Sequence, residues 1–195
     1  MTNKNLWVVI TAAVITLLST TSCSYNTMVE KDEAVQAAWS QVENQYQRRT
    51  DLIPNLVSTV KGYAAHESAT LQSVTDARTK AMQINVDASN LTPDKLQQFQ
   101  AAQGDLSQAL GKLMMVREAY PDLKANQNFL ELQAQLEGTE NRIATERMRF
   151  NEAARDYNTY IRRFPNNLIS GMFDFESKPY FESKAGADKP VDVKF

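Results

Sequence analysis

Apolar and aromatic residues recur at steps of three and four along the first half of the chain, from Val29 to Val86. This spacing places them on one face of a helix, and the residues between them are mostly good helix formers. The stripe consists of Val35, Trp39, Val42, Tyr46, Ile53, Leu56, Val60, Tyr63, Leu71, Val74, Ala77 and Ala81. Because Pro54 lacks an amide donor and crowds the carbonyl of Thr50, we expect one long helical segment with a kink at Pro54.

Two further helical segments follow, and prolines mark their ends. Thr92 is a typical capping residue and Pro93 suits the first helical position, so a helix is expected to begin there and to end at Pro121. A third segment with the same spacing covers residues 126–164. Together these segments predict an all-α fold, an antiparallel bundle of long helices of the four-helix type with the Pro54 kink.

The N-terminus carries an apolar run of 13 residues, from Leu6 to Leu18, followed by small hydroxylated residues and Cys23. This length is typical of a signal-peptide core and is shorter than the roughly 20 apolar residues of a membrane span. A lipoprotein signal peptidase accepts a small residue before a cysteine, which favours lipid attachment at Cys23. Thr20, however, stands where an aliphatic residue is usual. The alternative is an uncleaved anchor, and in both cases the body is tethered to a bilayer.

The last thirty residues combine prolines, glycines and aromatic residues without a helical stripe. The aromatic residues are Phe173, Phe175, Tyr180, Phe181 and Phe195. We predict an irregular tail that packs on the bundle or awaits a partner. The chain is thus expected to divide into a signal peptide or anchor (1–22), a tether (23–29), a helical bundle (30–165) and an irregular tail (166–195).

Composition narrows the range of functions. The chain has 21 basic and 23 acidic residues and a formal net charge of -2, so it lacks the basic excess of a nucleic-acid-binding protein. One histidine and one cysteine exclude an intrachain disulfide and argue against a metal site with several nitrogen or sulfur ligands. The sequence contains no phosphate-binding loop and no nucleophile motif. We therefore predict no catalytic residue, no cofactor and no metal.

Two polar clusters, each close to a proline, are candidates for interaction. The first comprises Arg48, Arg49, Asp51, Pro54 and Asn55, and the second comprises Asp156, Tyr157, Asn158, Arg162 and Arg163. Arginines near a proline can bind the backbone carbonyls that the proline leaves free, or pair with aspartates of another helix. The other interpretation is a docking surface for a second chain.

These segments resemble the LemA family. The motifs that carry the resemblance are Arg48-Arg49-x-Asp51-Leu52-Ile53-Pro54-Asn55-Leu56-Val57, Tyr120-Pro121-x-Leu123-Lys124-Ala125, Glu140-Asn141-Arg142-Ile143, Asp156-Tyr157-Asn158 and Arg163-Phe164-Pro165. The resemblance implies an N-terminally anchored helical bundle of bacterial envelopes without catalytic residues, since the family has no agreed enzymatic activity. Many members have a longer N-terminal spanning segment, whereas this chain has Cys23 after a short apolar run.

Helix lengths raise a question about assembly. A straight helix over residues 29–86 would reach roughly 87 Å, whereas the second and third segments would reach roughly 42 and 58 Å. The membrane-proximal stripe then has no obvious partner within the chain; its members are Val35, Trp39, Val42 and Tyr46. Either the chain folds back at Pro54 into a compact four-helix bundle, or neighbouring copies bury the stripe. We therefore hypothesise that copies of the chain associate through this stripe.

These observations favour a non-enzymatic, membrane-anchored protein of the bacterial envelope. It would act as a self-associating helical scaffold or adaptor, or would shape the membrane. Its expected partners are the membrane, further copies of itself and an unidentified envelope protein. A lipid anchor would place the body in the periplasm or outside the cell, and an uncleaved anchor would make it a single-pass protein. The alternative is an envelope enzyme subunit that binds an anionic substrate through the Arg48 and Arg49 pair and the Arg162 and Arg163 pair.

Overall fold

The computed structural model describes the backbone of residues 2–84 and 86–182, and the side chains of these ranges from residue 24 onward. Six α-helices and no strand occur in these ranges, which confirms the all-α prediction. The helices are α1 (Thr2–Tyr63), α2 (Ser68–Gln83), α3 (Pro93–Val116), α4 (Pro121–Lys124), α5 (Gln127–Arg162) and α6 (Asn166–Met172). The side chain of Cys23 and the end of the expected tail, residues 183–195 with Phe195, lie outside the described residues.

The four long helices run alternately up and down. α1 leads away from the N-terminus, α2 returns beside it, α3 rises again against α2, and α5 descends along α1. Local sequence explains the starts: the Thr92 hydroxyl accepts from the Lys95 amide (3.3 Å), and the Asn126 side chain accepts from the Phe129 amide (2.9 Å). The expected helix start at Pro93 is therefore confirmed, whereas the expected end at Pro121 is wrong: α3 ends at Val116, and Pro121 takes the first position of the short helix α4.

The expected single segment over residues 29–86 is two helices. α1 ends at Tyr63 and α2 begins at Ser68, so the chain reverses at residues 64–67 and not at Pro54. The reversal lets Leu71 and Val74 of α2 enter the same core cluster as Val60 of α1. A straight continuation would have left those side chains in water.

α1 continues through Pro54, and the structure shows how the carbonyl that this proline leaves free is satisfied. Pro54 has no amide hydrogen to offer Thr50, which lies four residues earlier and is 4% exposed. The Arg78 side chain of α2 instead donates its Nε hydrogen to the Thr50 carbonyl, at 3.0 Å. An arginine does support the proline site, as the sequence suggests, but it comes from α2 and not from the Arg48 and Arg49 pair.

The membrane-proximal stripe is buried within the chain, so the premise of the self-association hypothesis is wrong. Val35, Trp39, Val42 and Tyr46 are at most 5% exposed. The Trp39 ring lies 5.4 Å from the Phe99 ring and 5.5 Å from the Phe150 ring, and its Nε1 donates to the Val86 carbonyl at 3.1 Å. The stripe finds these partners because the extra antiparallel helix α2 lets α5 begin at the far end of the bundle and descend along α1.

The segment expected to be an irregular tail begins with a short helix, α6, and then covers the bundle. Residues 175–182, which we call the strap, contain neither helix nor strand and run along α5. Phe181 of the strap is 5% exposed and stacks on the Trp39 ring at 5.8 Å. Of the two interpretations of the tail, packing on the bundle is therefore observed for residues up to 182.

Two asparagines of α5 hold the strap. The Asn158 side chain accepts from the Lys178 amide and donates to the Lys178 carbonyl, both at 2.8 Å. The Asn151 side chain makes the same pair of bonds with Phe181, at 2.8 and 2.9 Å. Asn151 and Asn158 are seven helical residues apart, and Lys178 and Phe181 are three residues apart in the strap. Both separations are about 10 Å, so each asparagine lies beside its strap residue. An ion pair between Lys178 and Asp32 (2.8 Å) ties the strap to α1 as well.

No helix in the part of the chain with described side chains contains a stretch long and apolar enough to cross a membrane.

The bond from Arg78 to Thr50 gives the first prediction. Arg78→Met should lower the free energy of unfolding by about 1–2 kcal/mol, because a buried carbonyl loses its partner. Pro54→Ala restores an amide donor within α1, so in that background the cost of Arg78→Met should fall by about 1 kcal/mol. Urea unfolding of the full chain in detergent measures both costs, with the exposed Arg155→Met as control. Equal costs in the two backgrounds would contradict this account of the proline site.

The strap gives the second prediction. Asn158→Ala and Asn151→Ala should each lower the free energy of unfolding by about 2 kcal/mol, since each leaves backbone groups of the strap without partners. Hydrogen exchange should become faster at the Lys178 amide in Asn158→Ala and at the Phe181 amide in Asn151→Ala. Asn141→Ala, which changes an exposed asparagine of the same helix, is the control. Unchanged exchange in the strap would show that the asparagines do not hold it.

Candidate functional site

A groove lies between α3 and α5 on the described surface. It remains open because α3 packs mainly against α2, while α5 packs mainly against α1. Two cavities, of about 630 and 270 Å³, follow one another along it, and Ser107 and Glu140 line both. A groove of this length between two helices is a concave surface that could hold a ligand or a segment of a partner chain.

Arg49 of α1 forms the floor of the groove. Its side chain is 1% exposed and reaches from α1 between the other two helices. Nη1 donates to the Glu140 carboxylate at 2.6 Å and to the Ser107 hydroxyl at 2.9 Å. Nη2 donates to both the side chain and the backbone carbonyl of Gln103. The guanidinium group therefore joins α1, α3 and α5 at one point, which its planar set of donors makes possible.

The charge of Arg49 is balanced within the chain. Glu140 is 46% exposed, so this ion pair joins a buried cation to a carboxylate that water still reaches. The Arg49 guanidinium also lies over the Tyr46 ring, 5.1 Å from its centre. Burial raises the pKa of the Tyr46 hydroxyl, while the charges of Arg147 and Arg49 oppose that shift. Because the Arg49 cation is paired with the Glu140 carboxylate, the floor of the groove is polar but carries little net charge.

The walls of the groove carry two glycines, Gly104 and Gly111, seven residues apart on α3. A Cβ atom added at either position would meet no atom of this chain within 4 Å. Each glycine costs roughly 1 kcal/mol of helix stability relative to alanine, and packing within the chain does not require either of them. At the rim, Arg147 donates to Gln100 at 3.3 Å and to the Glu182 carbonyl at 3.0 Å, which joins the strap to the groove.

The first predicted polar cluster is divided between the interior and the surface. Arg49 is buried, whereas the other members are exposed: Arg48, Asp51, Pro54 and Asn55. The Asp51 carboxylate accepts from the Gln47 side chain of the preceding turn, at 2.8 Å. Only Arg49 therefore belongs to the candidate site.

The second cluster is divided in the same way. Tyr157 and Asn158 are buried, and Asn158 supports the strap. Burial is the main cause that raises the pKa of the Tyr157 hydroxyl, and the nearby Asp32 and Glu176 add to it. The remaining members, Asp156, Arg162 and Arg163, are exposed, and Asp156 faces Arg155 at 3.8 Å.

The structure does not bring the two arginine pairs together. Arg49 lies opposite Glu140, whereas Arg162 ends α5 at the level of Met28. The 22 residues between Glu140 and Arg162 separate the two levels by about 33 Å along α5. A single anionic substrate of ordinary size cannot bridge them, so the joint site of the enzyme alternative does not exist in this fold.

Sequence reasoning missed the residues that complete the Arg49 site. Gln103 interrupts the apolar stripe of α3, and a polar residue at a core position is the signal that could have identified it. Ser107 and Glu140 lie on solvated helix faces and carry no such signal in the sequence. No group of three or more His, Cys, Asp or Glu side chains in the described ranges is arranged to hold a metal ion.

The fold and its first helix define a class of protein: an all-α bundle whose longest helix, α1, contains the N-terminal apolar run. The LemA family model matches residues 38–195. The chain belongs to the LemA family, as the sequence motifs indicate.

Similar proteins include two groups. Magnetosome protein MamQ 2 of Paramagnetospirillum magneticum is 30% identical over 207 residues, covering 95% of this chain and 75% of the relative. Magnetosome protein MamQ of Magnetospirillum gryphiswaldense is 27% identical, covering 92% and 72%. Protein LemA of Metamycoplasma hominis is 26% identical, covering 86% and 72%. The likeness therefore extends over nearly the whole chain.

The exposure difference within the Arg49–Glu140 pair gives the third prediction. Glu140→Ala should lower the free energy of unfolding by about 3 kcal/mol, because it leaves a buried cation without its counter-ion. Arg49→Met should cost less, about 1–2 kcal/mol, because it removes the buried charge and leaves a glutamate that water can solvate.

Urea unfolding of the two variants checks this order. Glu137→Ala serves as control, because Glu137 is exposed on the same helix and its loss should stay within about 0.5 kcal/mol. A larger cost for Arg49→Met than for Glu140→Ala would contradict the interpretation of the pair.

Proposed function

We propose that this protein is a non-enzymatic, membrane-anchored scaffold of the bacterial envelope that recruits a protein partner through the groove between α3 and α5. The observation that carries the proposal is that one helix, α1, contains the N-terminal apolar run and also supplies Arg49 to the floor of the groove. Anchor and candidate docking surface thereby belong to one continuous helix.

The anchor is supported by the sequence. The apolar run Leu6–Leu18 precedes Cys23, so the body is held either by acyl chains on Cys23 or by an uncleaved N-terminal helix. In the first case the body faces the periplasm or the outside of the cell. Family membership and the MamQ relatives support an envelope or membrane location.

Three features of the groove favour a protein partner over a small substrate. It extends along two helices, its floor has a paired charge, and its wall has glycines that leave room for a close approach. A helix or extended segment of another chain fits such a surface. Self-association and membrane shaping remain compatible with an anchored scaffold, but the Trp39 stripe is buried and cannot provide the contact.

Bulky groups at the two glycines test the groove, and this is the fourth prediction. Gly104→Leu and Gly111→Leu should narrow the groove, and the Cβ of each leucine has room, since nothing outside the neighbouring helix backbone lies within 4 Å of it. Helix stability should stay the same or rise by up to about 1 kcal/mol, since leucine is the better helix former. We expect a partner recovered with the tagged parent from detergent-solubilised membranes to be lost from both variants.

Gly138→Leu is the matched control, since Gly138 is exposed on α5 away from the groove and also has free space around it. Recovery of the same partner with all variants would contradict the groove as a docking surface. Recovery of only the tagged protein and its own copies, lost with Gly104→Leu, would assign the groove to self-assembly.

A further inference from the structure

We propose that α6 and its flanking residues form a foot that rests in the headgroup region of the bilayer. The foot comprises Phe164, Leu168, Met172 and Phe173, together with Arg162 and Arg163. The inference rests on the proposed membrane anchoring of the N-terminus and adds a second membrane contact to it. Its occupant is the lipid surface, and not a second protein.

The apolar side chains of the foot are unusually exposed. Phe164 is 81% exposed, Met172 is 76%, Leu168 is 60% and Phe173 is 52%. Leu168 and Met172 lie one turn apart on α6, while a different face of the helix, with Ile169 and Ser170, is buried against the bundle. α6 is therefore fixed to the body by one face and presents large apolar groups on another, as interfacial helices do.

The position of the foot is set by α1. The Phe173 ring lies 5.0 Å from the Tyr25 ring, and Tyr25 is itself 38% exposed. Along the axis of α1, Tyr25 lies about 10 Å from Leu18, the end of the apolar run, and about 3 Å from Cys23. Both forms of anchor therefore place the foot at the level of the headgroups, where aromatic side chains are enriched in membrane proteins.

The hydrogen bonds that hold α6 keep it at this end of the bundle. The Ser170 hydroxyl donates to the Ile161 carbonyl at 3.1 Å, and the Asn166 side chain donates to the Tyr160 carbonyl at 3.2 Å. Because these carbonyls belong to the last turns of α5, α6 is bound to the bundle end from which Tyr25 continues toward the anchor.

Charge also favours a lipid surface. Residues 162–174 carry two exposed arginines, Arg162 and Arg163, and one aspartate, Asp174. Arginine side chains beside apolar groups are suited to bind lipid phosphates while their stems stay among the acyl chains. The pairing of large apolar groups with arginines matches a bilayer interface more closely than it matches free solvent.

A fluorescence experiment on the full chain in liposomes tests the foot. Met172→Cys is labelled with an environment-sensitive NBD probe, and the vesicles contain lipids with a nitroxide near the headgroup. We expect the nitroxide lipids to reduce the emission of the probe by about half or more, because it lies at the interface. Arg162→Ala with Arg163→Ala should weaken this quenching more in anionic than in zwitterionic vesicles.

Met115→Cys is the matched control. Met115 is also an exposed methionine, 67% accessible, but it directly follows Leu113 and Met114, which pack in the core cluster at the end of the bundle away from the foot. The parent chain, with Cys23 alone, gives the background. Flotation with the liposomes tests the anchor separately. Flotation with equal, weak quenching at positions 172 and 115 would overturn the foot and leave the anchor intact. A chain that does not float would overturn the anchoring and the foot together.

Discussion

The burial of α1 is the constraint that organises this fold. From Ser24 to Tyr63 the helix is about 60 Å long and carries an apolar stripe over most of that length. Only α5, at 36 residues or about 54 Å, is long enough to cover it. The shorter α2 and the later turns of α3 complete the far half of the bundle, around Val60. The near half, around Trp39, is completed by Leu96 and Phe99 at the start of α3, the loop at Val86, the strap and α6.

This division explains why a chain segment without helical periodicity is part of the core. In the near half, Phe181 takes the place that a fourth helix would have filled, stacking on Trp39 beside Phe150. A strap without helix or strand cannot satisfy its own backbone groups, so α5 supplies Asn151 and Asn158 at the matching spacing. α5 therefore provides both an apolar contact for Phe181, through Phe150, and the hydrogen-bond partners of the strap backbone.

Periodicity and proline chemistry are sufficient to predict the all-α fold, the cap at Thr92 and the end of α5 near Pro165, but not the division into α1 and α2 or the short helix α6. They could not predict the reversal at residues 64–67, because that break carries no proline and only Gly62 nearby. The helix lengths alone leave the stripe without a partner for the same reason: unless α2 is recognised as a separate helix, α5 cannot be placed along α1. Of the candidate site, the sequence indicated Arg49, but Ser107 and Glu140 meet it only through helix packing.

Two buried or partly buried arginines illustrate how polar bonds fix the register of such a bundle. Arg78 links α2 to the proline site of α1, and Arg49 links α1 to α3 and α5. Apolar stripes tolerate sliding by a turn, because one leucine replaces another in the contact. The Arg49 guanidinium, bonded to four acceptor atoms on three residues, does not, since a shift of one turn, about 5.4 Å, would break its bonds and leave a buried charge.

That fixed register bears on the proposed scaffold. Arg49 lies 24 residues after Tyr25, so the groove would stand about 36 Å above the level of the foot. Because α1 is one helix over this distance, with α5 bonded to it through Arg49 and Glu140 and packed against it near Met28 and Ile161, the bundle has the properties of a spacer of set length. Under the proposed function, a partner in the groove would be held at one height above the membrane, and the foot would keep the spacer from pivoting about a single anchor.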